Sequence, residues 1–595
     1  MLIQTREEFL QARTTLLKAD VIAVDTETNW TDDWDARELM GISLHCRLPE
    51  NVQYELSFYF PFRHNHDRTL FAEHNNNLPY EWLRDLSCVL ERTDCIYVGH
   101  GFKFDFKVFE KEGIHITGQL RDTLLLSWMD DENKFSHELA DLAKLVGDKK
   151  DRTELKNIGK HLGGWEKIPP EVMERYACGD VRICFRLHEI FWPRIVEQEL
   201  EECYKHEEKR LRVLTKMEQR GIQIDKDTAL RLSEEARTKM QDTLDEFGYD
   251  PGKPSQLAHR LFAAESEGGL GLPILGNPTK RKSKEFPRGL PNMSVSILSR
   301  LNHPEALRVL DYRSWQKANS TWYEGWFNKT TADSRIHPEF KQHGTVTTRW
   351  SCTRPNMQQI PRDIERTPVK RMLRSREGYE LWEYDYSQME FRLGAIYAEC
   401  YPILEAYKTG TDVHQLTSDR LKLEELTGLP KAEARYAGKQ TNFLTIYGGG
   451  PEVLRYQIWR DARLELPYST ASDILDEFHK SYPEWRKIMR KCEGTAKSRG
   501  YVKMWNGRRR HFDVVWKCKD AFNSIIQGGC AQIIFESMEE LDDQGFEIVS
   551  QVHDALWIEV PVESSAEDQE RIKKIMEWPS EKFGIPFPVD GKRLA

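Results

Sequence analysis

Apolar and polar positions follow two alternating periods through the first 195 or so residues of the chain. KADVIAVDTET is an apolar run ending in acidic residues, and CIYVGHGFKFD repeats the arrangement, with helical periodicity between and after them. Strands alternating with helices predict an α/β unit with functional residues at strand ends. From Glu201 to about Phe247 the pattern turns strongly helical, with Gly221 placed as a cap between two helices. Residues 248–293 are rich in Gly, Pro, Lys and Arg and predict a flexible tip. SVSILSRLNHPEALRVLDYRSWQKANSTWYEG returns to helix. Past about residue 330, strand-like segments near 379–386 and 546–560 bracket a mostly helical block from 388 to 498.

A chain of 595 residues holds roughly three to five domains of ordinary size. Its 39% hydrophobic and 31% charged residues suit a globular protein that buries large cores. No apolar run approaches the roughly 18 residues a bilayer span needs, and the N-terminus has no apolar signal region. Eleven cysteines without a CxxC pair argue against a zinc ribbon or a disulfide framework, and a reducing cytosol is expected. The net charge of −10 does not exclude nucleic acid, because phosphate contacts need local clusters. Two are present: Lys280, Arg281, Lys282, Lys284 and Arg288 in one stretch, and Arg508, Arg509 and Arg510 in another. Taken alone, either run is as readily a solvated surface.

Carboxylates mark two constellations. Asp25 and Glu27 end the VIAVDTET strand, Asp105 follows the second strand-like run, and Tyr176 and Asp180 stand one helical turn apart in RYACGD. Four carboxylates on one site would repel unless cations held them, and Mg²⁺ takes oxygen ligands. Two such ions can activate water and stabilise the leaving oxygen of a phosphodiester. The order DxE, FKFD, YxxxD is similar to the three motifs of DEDD-type proofreading 3′→5′ exonucleases, tyrosine subclass. That resemblance implies an RNase H-like domain with Asp25, Glu27, Asp105 and Asp180 as metal ligands and Tyr176 orienting the attacking water. Many relatives carry Asn where this chain has Gly101, which bears on placement of the DNA terminus.

In the second constellation Asp385 lies where a strand gives way to a helix, and Asp554 lies at the His553–Asp554 junction of a hairpin. Singly, each is more often a turn or cap residue. Phosphoryl transfer rests on positioning and charge neutralisation, so two carboxylates meeting across a sheet can hold two metals. Between them Arg435, Lys439, Phe443 and Tyr447 recur at four-residue steps, one helical stripe of two cations and two aromatics. Such a stripe can grip a triphosphate and stack on a base, although a core stripe with snorkelling cations has the same spacing.

These segments resemble the A, B and C motifs of family A DNA polymerases, the DNA polymerase I type, in order and over essentially the whole chain. The resemblance implies a right-hand polymerase after the exonuclease. Its parts would be the exonuclease domain 1–195, thumb 196–330, palm 331–400 and 499–595, and fingers 401–498. Asp385, Asp554 and the carbonyl of Tyr386 would bind two Mg²⁺ ions, with Mn²⁺ able to substitute. Arg435, Lys439 and His414 would hold the dNTP phosphates, Phe443 and Tyr447 would line the nascent base pair, and Glu390 would exclude a ribose 2′-hydroxyl. Arg349 in TTRWSCTRPNMQQIP, Asn523 and Gln527 in FNSIIQGGCAQ, His553, and the tip residues Lys280, Arg281 and Lys282 would contact primer–template DNA.

Relatives usually read His-Asp-Glu where this chain has Ala555; the missing carboxylate is auxiliary, so activity is expected to survive. No 5′-nuclease motif is read ahead of the exonuclease, an arrangement expected of a bacteriophage replicase or of a processed fragment; the start at Met1 favours the phage, and with it a monomer in the cytoplasm of an infected bacterium. No membrane partner is expected, and other replisome proteins are left open. An RNA polymerase is disfavoured by Glu390 and the exonuclease motifs. A dead polymerase scaffold would be expected to lose Asp385, Asp554 or Lys439, and a pure DNA-binding module needs no such set of carboxylates.

Overall fold

The computed structural model describes residues 1–29, 31, 34, 36–48, 51–64, 77–148, 153–361 and 367–595. The predicted α/β unit is built on β1 (Val21–Thr28), β2 (Leu39–Leu48), β3 (Asn51–Pro61), β4 (Ile96–Gly99) and β5 (Gln119–Asp122), in the order β3-β2-β1-β4-β5. β1 is the middle strand, antiparallel to β2 and parallel to β4. Covered on both faces, it reads as a continuous apolar run, with Ile22, Ala23 and Val24 fully buried. Helix α1 (Lys103–Lys111) follows β4, and α2 (Pro170–Glu197) packs across β1, β2 and β3. Pro170 suits the first turn of α2, where no intrahelical N–H is required.

Helix α3 (Glu201–Arg220), the first helix of the expected thumb, divides its buried face between two cores. Its Tyr204 and Leu211 belong to the core of the α/β unit, while Val213, Leu214 and Met217 belong to the core of the second unit. The helix is therefore the seam between the two. Its fully buried Arg210 bonds Glu207 at 3.1 Å, Glu539 at 2.6 Å and Gln532 at 2.7 Å.

Two further helices, α4 (Lys226–Phe247) and α5 (Pro304–Lys317), pack on each other. The segment between them is more ordered than the flexible tip its composition predicts. Leu257, Leu261, Phe262, Leu298 and Val309 form a small core, and the Arg281 carbonyl accepts a backbone hydrogen bond from Leu290. Lys280, Arg281 and Lys282 stand exposed on its outside.

Strand β6 (Tyr379–Tyr386) runs into α6 (Met389–Ala398), and the helical block continues with α7 (Val413–Arg420), α8 (Lys431–Ile446) and α9 (Pro483–Arg499). The long buried helix α10 (Ala521–Asp543) precedes β7 (Glu547–Val552), β8 (Ala555–Pro561) and β9 (Val589–Arg593). The four strands form an antiparallel sheet ordered β7-β8-β6-β9.

The Arg508–Arg510 run is not an open phosphate-binding surface. Arg508 and Arg510 are 1% and 5% exposed. Arg510 pairs with buried Glu132 of the α/β unit at 2.9 Å, and Arg508 lies over the Trp128 ring at 4.5 Å. Only the outer Arg509, over Tyr501, keeps to a half-exposed position. The charges are spent on joining the two units, since a buried guanidinium must have partners.

Candidate active sites

Asp25 and Glu27 sit two residues apart on β1, so both project from one face of the sheet. Asp105, in the first turn of α1, joins them: its Oδ1 accepts from the Thr26 N–H at 2.8 Å and the Thr26 hydroxyl at 2.6 Å. Burial, and after it the charge of Asp25, pushes the Asp105 carboxyl well above the usual range. A cation would relieve that crowding, and the all-oxygen donor set fits a hard divalent ion. Asp180 is buried on α2, and half-buried Tyr176 precedes it by one turn on the helix that crosses β1.

Sequence reasoning missed three neighbours of this site. Asp122 accepts from the Gly101 and Phe102 N–H groups, both at 2.9 Å, and so shapes the loop that aims Asp105. Gly101 has φ +68°, a left-handed conformation that gives the departure at this position a backbone reason. Fully buried Tyr59 lies against Gly41, the cross-strand partner of Glu27, where a Cβ would come within 2.3 Å of the tyrosine oxygen. The Tyr59 hydroxyl bonds His64 Nε2 at 2.7 Å, and His64 Nδ1 bonds the Ile168 carbonyl at 2.8 Å. A carbonyl only accepts, so Nδ1 carries the proton and Tyr59 donates to Nε2.

The second site forms where β6 and β8 pair. Asp385 is in register with Ala555, and the Tyr386 N–H donates to the Asp554 carbonyl at 3.2 Å. This brings the two aspartates, 169 positions apart by their numbers, to one sheet edge. Asp385 is pushed up to about 6 by burial, Glu383 and Asp590; Asp554 reaches about 6 through burial, opposed by Arg349 and reinforced by Glu390 and Asp385. Two carboxylates held so high side by side make a site that a divalent cation would stabilise. The Tyr386 side chain turns into the core, its hydroxyl 2.8 Å from Ser537 Oγ.

Strand register also shows what flanks the Ala555 departure. Ala555 and Asp590 oppose Asp385 from either side, on the same face of the sheet. Asp590 and Glu383 keep acidic groups beside Asp385 although position 555 has none. Glu383 is held by Lys370 at 2.8 Å and by the Trp557 indole at 3.1 Å.

Arg349, Glu390, Tyr447 and Asp554 converge in one network. Arg349 pairs with Glu390 and lies 3.6 Å from Asp554, while the Tyr447 hydroxyl donates to Glu390 Oε2 at 2.6 Å. Arg349, assigned from sequence to DNA, is thus turned onto buried Glu390 and half-buried Asp554. Arg435, Lys439 and Phe443 lie on α8 as predicted, but Tyr447 falls just past its end, at the C-cap. Arg435 bonds Asp412, which also caps α7. His414 is buried between α7 and α8, its ring 5.9 Å from Phe443 and its Nδ1 3.1 Å from Asn442 Nδ2. Burial holds it down at about 4, hence neutral near pH 7, and Lys439 adds to that effect. The two helices approach closely at Gly438, where a Cβ would meet the His414 carbonyl at 2.8 Å.

Asn523 and Gln527 lie one turn apart on α10, both half-buried, and Asn523 Oδ1 has no hydrogen-bond partner among the described residues. His553 occupies the hairpin turn at φ +57°, next to Asp554. Lys280, Arg281 and Lys282 stay on the outside of the segment between α4 and α5, with no ion-pair partner among the described residues.

Residues 226–593 match the family model described as DNA polymerase family A, and residues 1–196 match that of a 3′-5′ exonuclease. The chain belongs to DNA polymerase family A. Among its relatives, DNA polymerase I of Rhizobium leguminosarum is 26% identical over 613 residues, covering 96% of this chain and 58% of that protein. The chain thus spans little more than half the length of that bacterial relative. DNA polymerase DpoZ of Salmonella phage PMBT28 is 25% identical over 635 residues and is covered to 96% of its length, as is this chain. The fold is shared with the polymerase domain of Pol1 from M. smegmatis, solved in complex with DNA primer-template and dNTP (TM-score 0.80, 21% identity, 100% of this chain and 98% of that one). In this family A chain the exonuclease match ends at residue 196, within the last turn of α2.

Proposed function

We propose that this family A polymerase extends a primer 3′ end with dNTPs on a DNA template and removes mispaired ends by 3′→5′ hydrolysis. The observation that carries the polymerase reading is the pairing of β6 with β8, which sets Asp385 beside Asp554 with the Tyr386 N–H bonded across the junction. Two divalent cations, Mg²⁺ with Mn²⁺ able to substitute, would be held there by Asp385, Asp554 and the Tyr386 carbonyl, and would supply charge neutralisation at the phosphate. Arg435 and Lys439 grip the triphosphate, with Arg435 exchanging Asp412 for a phosphate oxygen, and His414 supports them as a neutral donor. Phe443 and Tyr447 line the base pair, and Glu390 faces the sugar. Arg349, Asn523, Gln527 and His553 contact the primer–template, while Lys280, Arg281 and Lys282 follow its backbone from the thumb tip.

In the exonuclease, Asp25, Glu27, Asp105 and Asp180 would hold the metal pair of a DEDD-type site, which would supply charge neutralisation at the scissile phosphate, and Tyr176 would orient the water. The match to a phage polymerase along 96% of both chains supports a phage-encoded replicase; we take it to work as a monomer in its host's cytoplasm, with replisome partners open. Primer extension with Mg²⁺ tests the reading: template-directed addition of dNTPs is expected, and a protein that degrades primers but never extends them would refute it.

A further inference from the structure

Helix α9 carries its buried residues Trp485, Cys492 and Ala496 on one face. On the opposite face Arg486, Lys487, Arg490 and Lys491 are all exposed, and among the described residues none has an ion-pair partner. Positions 486 and 490, and 487 and 491, are i,i+4 neighbours, so these like charges repel and weaken the helix on its own. Lys497 continues the stripe, although it is bridged to Glu493 at 2.6 Å. Packed on the same helix is the turn Val515–Asp520, anchored by buried Cys518. This turn holds two large apolar side chains out in solvent: Val515 is 71% and Trp516 67% exposed. Lys517 Nζ sits 5.9 Å from the Trp516 ring, and exposed Lys519 follows. The turn leads straight into α10, with Trp516 seven residues before Asn523 by their numbers.

A self-repelling cationic stripe beside an exposed indole is costly in the free protein and complementary to a polyanion with open aromatic faces. Duplex DNA offers the charge but keeps its bases stacked; a single strand offers both. We infer that α9 and the Val515–Trp516 step form a binding platform for single-stranded template DNA on the 5′ side of the templating base, with Trp516 stacking on a base and Arg486, Lys487, Arg490 and Lys491 following the phosphates. The inference rests on the polymerase reading, since it needs a template strand that leaves the palm unpaired past α10.

The test compares primer–templates whose 5′ template overhang is about 15 or about two nucleotides, a range spanning typical single-strand site sizes. Affinity is measured by fluorescence anisotropy over a series of salt concentrations in EDTA. The wild-type chain is expected to bind the long overhang more tightly. Trp516→Ala should remove about tenfold of that gain, the scale of one base–aromatic stack, and Trp516→Phe should restore most of it. Replacing Arg486, Lys487, Arg490 and Lys491 together by Gln should flatten the salt dependence by about 0.7 in log–log slope for each phosphate no longer neutralised. Binding of the short overhang and single-nucleotide insertion should stay at the wild-type level in every variant. Equal wild-type affinity for both overhangs, or variants that weaken both alike, would overturn the platform. Failure of the wild-type chain to extend even the short-overhang primer would instead overturn the polymerase reading beneath it.

Discussion

Glu390 is 7% exposed, with one oxygen held by Arg349 and the other by the Tyr447 hydroxyl at 2.6 Å. If this carboxylate faces the sugar, a ribose 2′-hydroxyl can be admitted only by pushing the group aside and breaking one of those bonds. A hydrogen bond to a charged group is worth about 1.5–3 kcal/mol, hence roughly ten- to a hundredfold in discrimination at about 1.4 kcal/mol per decade. Tyr447→Phe keeps the ring and removes only the hydroxyl. It should lower the preference for deoxy- over ribonucleotides by about tenfold and leave deoxynucleotide insertion within a few-fold of wild type. Glu390→Ala should lower the preference further. The double variant should do no worse than Glu390→Ala, because the hydroxyl acts only through the carboxylate. The assay is single-nucleotide insertion of each matched dNTP and rNTP on one primer–template. A wild-type preference in Tyr447→Phe, or additive losses in the double variant, would show that this bond does not set the gate.

Two further outcomes are expected. Phe443, half-buried against His414, offers no hydrogen bond toward the sugar; Phe443→Tyr should therefore raise dideoxynucleotide use by about tenfold, the value of one restored hydrogen bond near charged groups. An unchanged dideoxy-to-deoxy ratio in competition would mean that α8 does not face the sugar. Burial holds His45, His188, His343 and His414 at about 4, below the unfolded value near 6.5. Their contribution is complete above that unfolded value and is lost as pH falls toward 4, each losing about 2 kcal/mol by pH 5, so the urea midpoint should fall markedly between pH 7 and pH 5. A constant midpoint would refute the assignment.

The parts of the molecule that could be read from sequence are those whose chemistry is local. β1 announces itself because a strand covered on both faces must be apolar throughout, and the acids at its end then stand out. Asp385 and Asp554 could be placed at strand junctions from the local pattern, strand giving way to helix after the first and two strand-like runs meeting at the second. What escaped was long-range pairing. Arg508–Arg510 looks like a phosphate-binding surface until Glu132, contributed by the other unit, is seen to receive Arg510. Helix α3 looks like any amphipathic helix, and only the assembled structure shows its successive residues dividing between two cores. Asp590 flanks Asp385 through strand register, which no spacing in the chain reveals. Tyr59 and His64 carry no motif; their position beside Glu27 follows from β3 pairing with β2.

If one chain holds two metal-dependent sites of opposite effect on a primer end, a single gel assay separates them. A labelled primer–template is incubated with Mg²⁺, first without and then with dNTPs, using wild type, Asp25→Ala/Glu27→Ala and Asp385→Ala. Wild type should shorten the primer without dNTPs and lengthen it with them. The double variant should lengthen it and never shorten it, and Asp385→Ala should shorten it under both conditions. Loss of both activities in either folded variant would contradict the account.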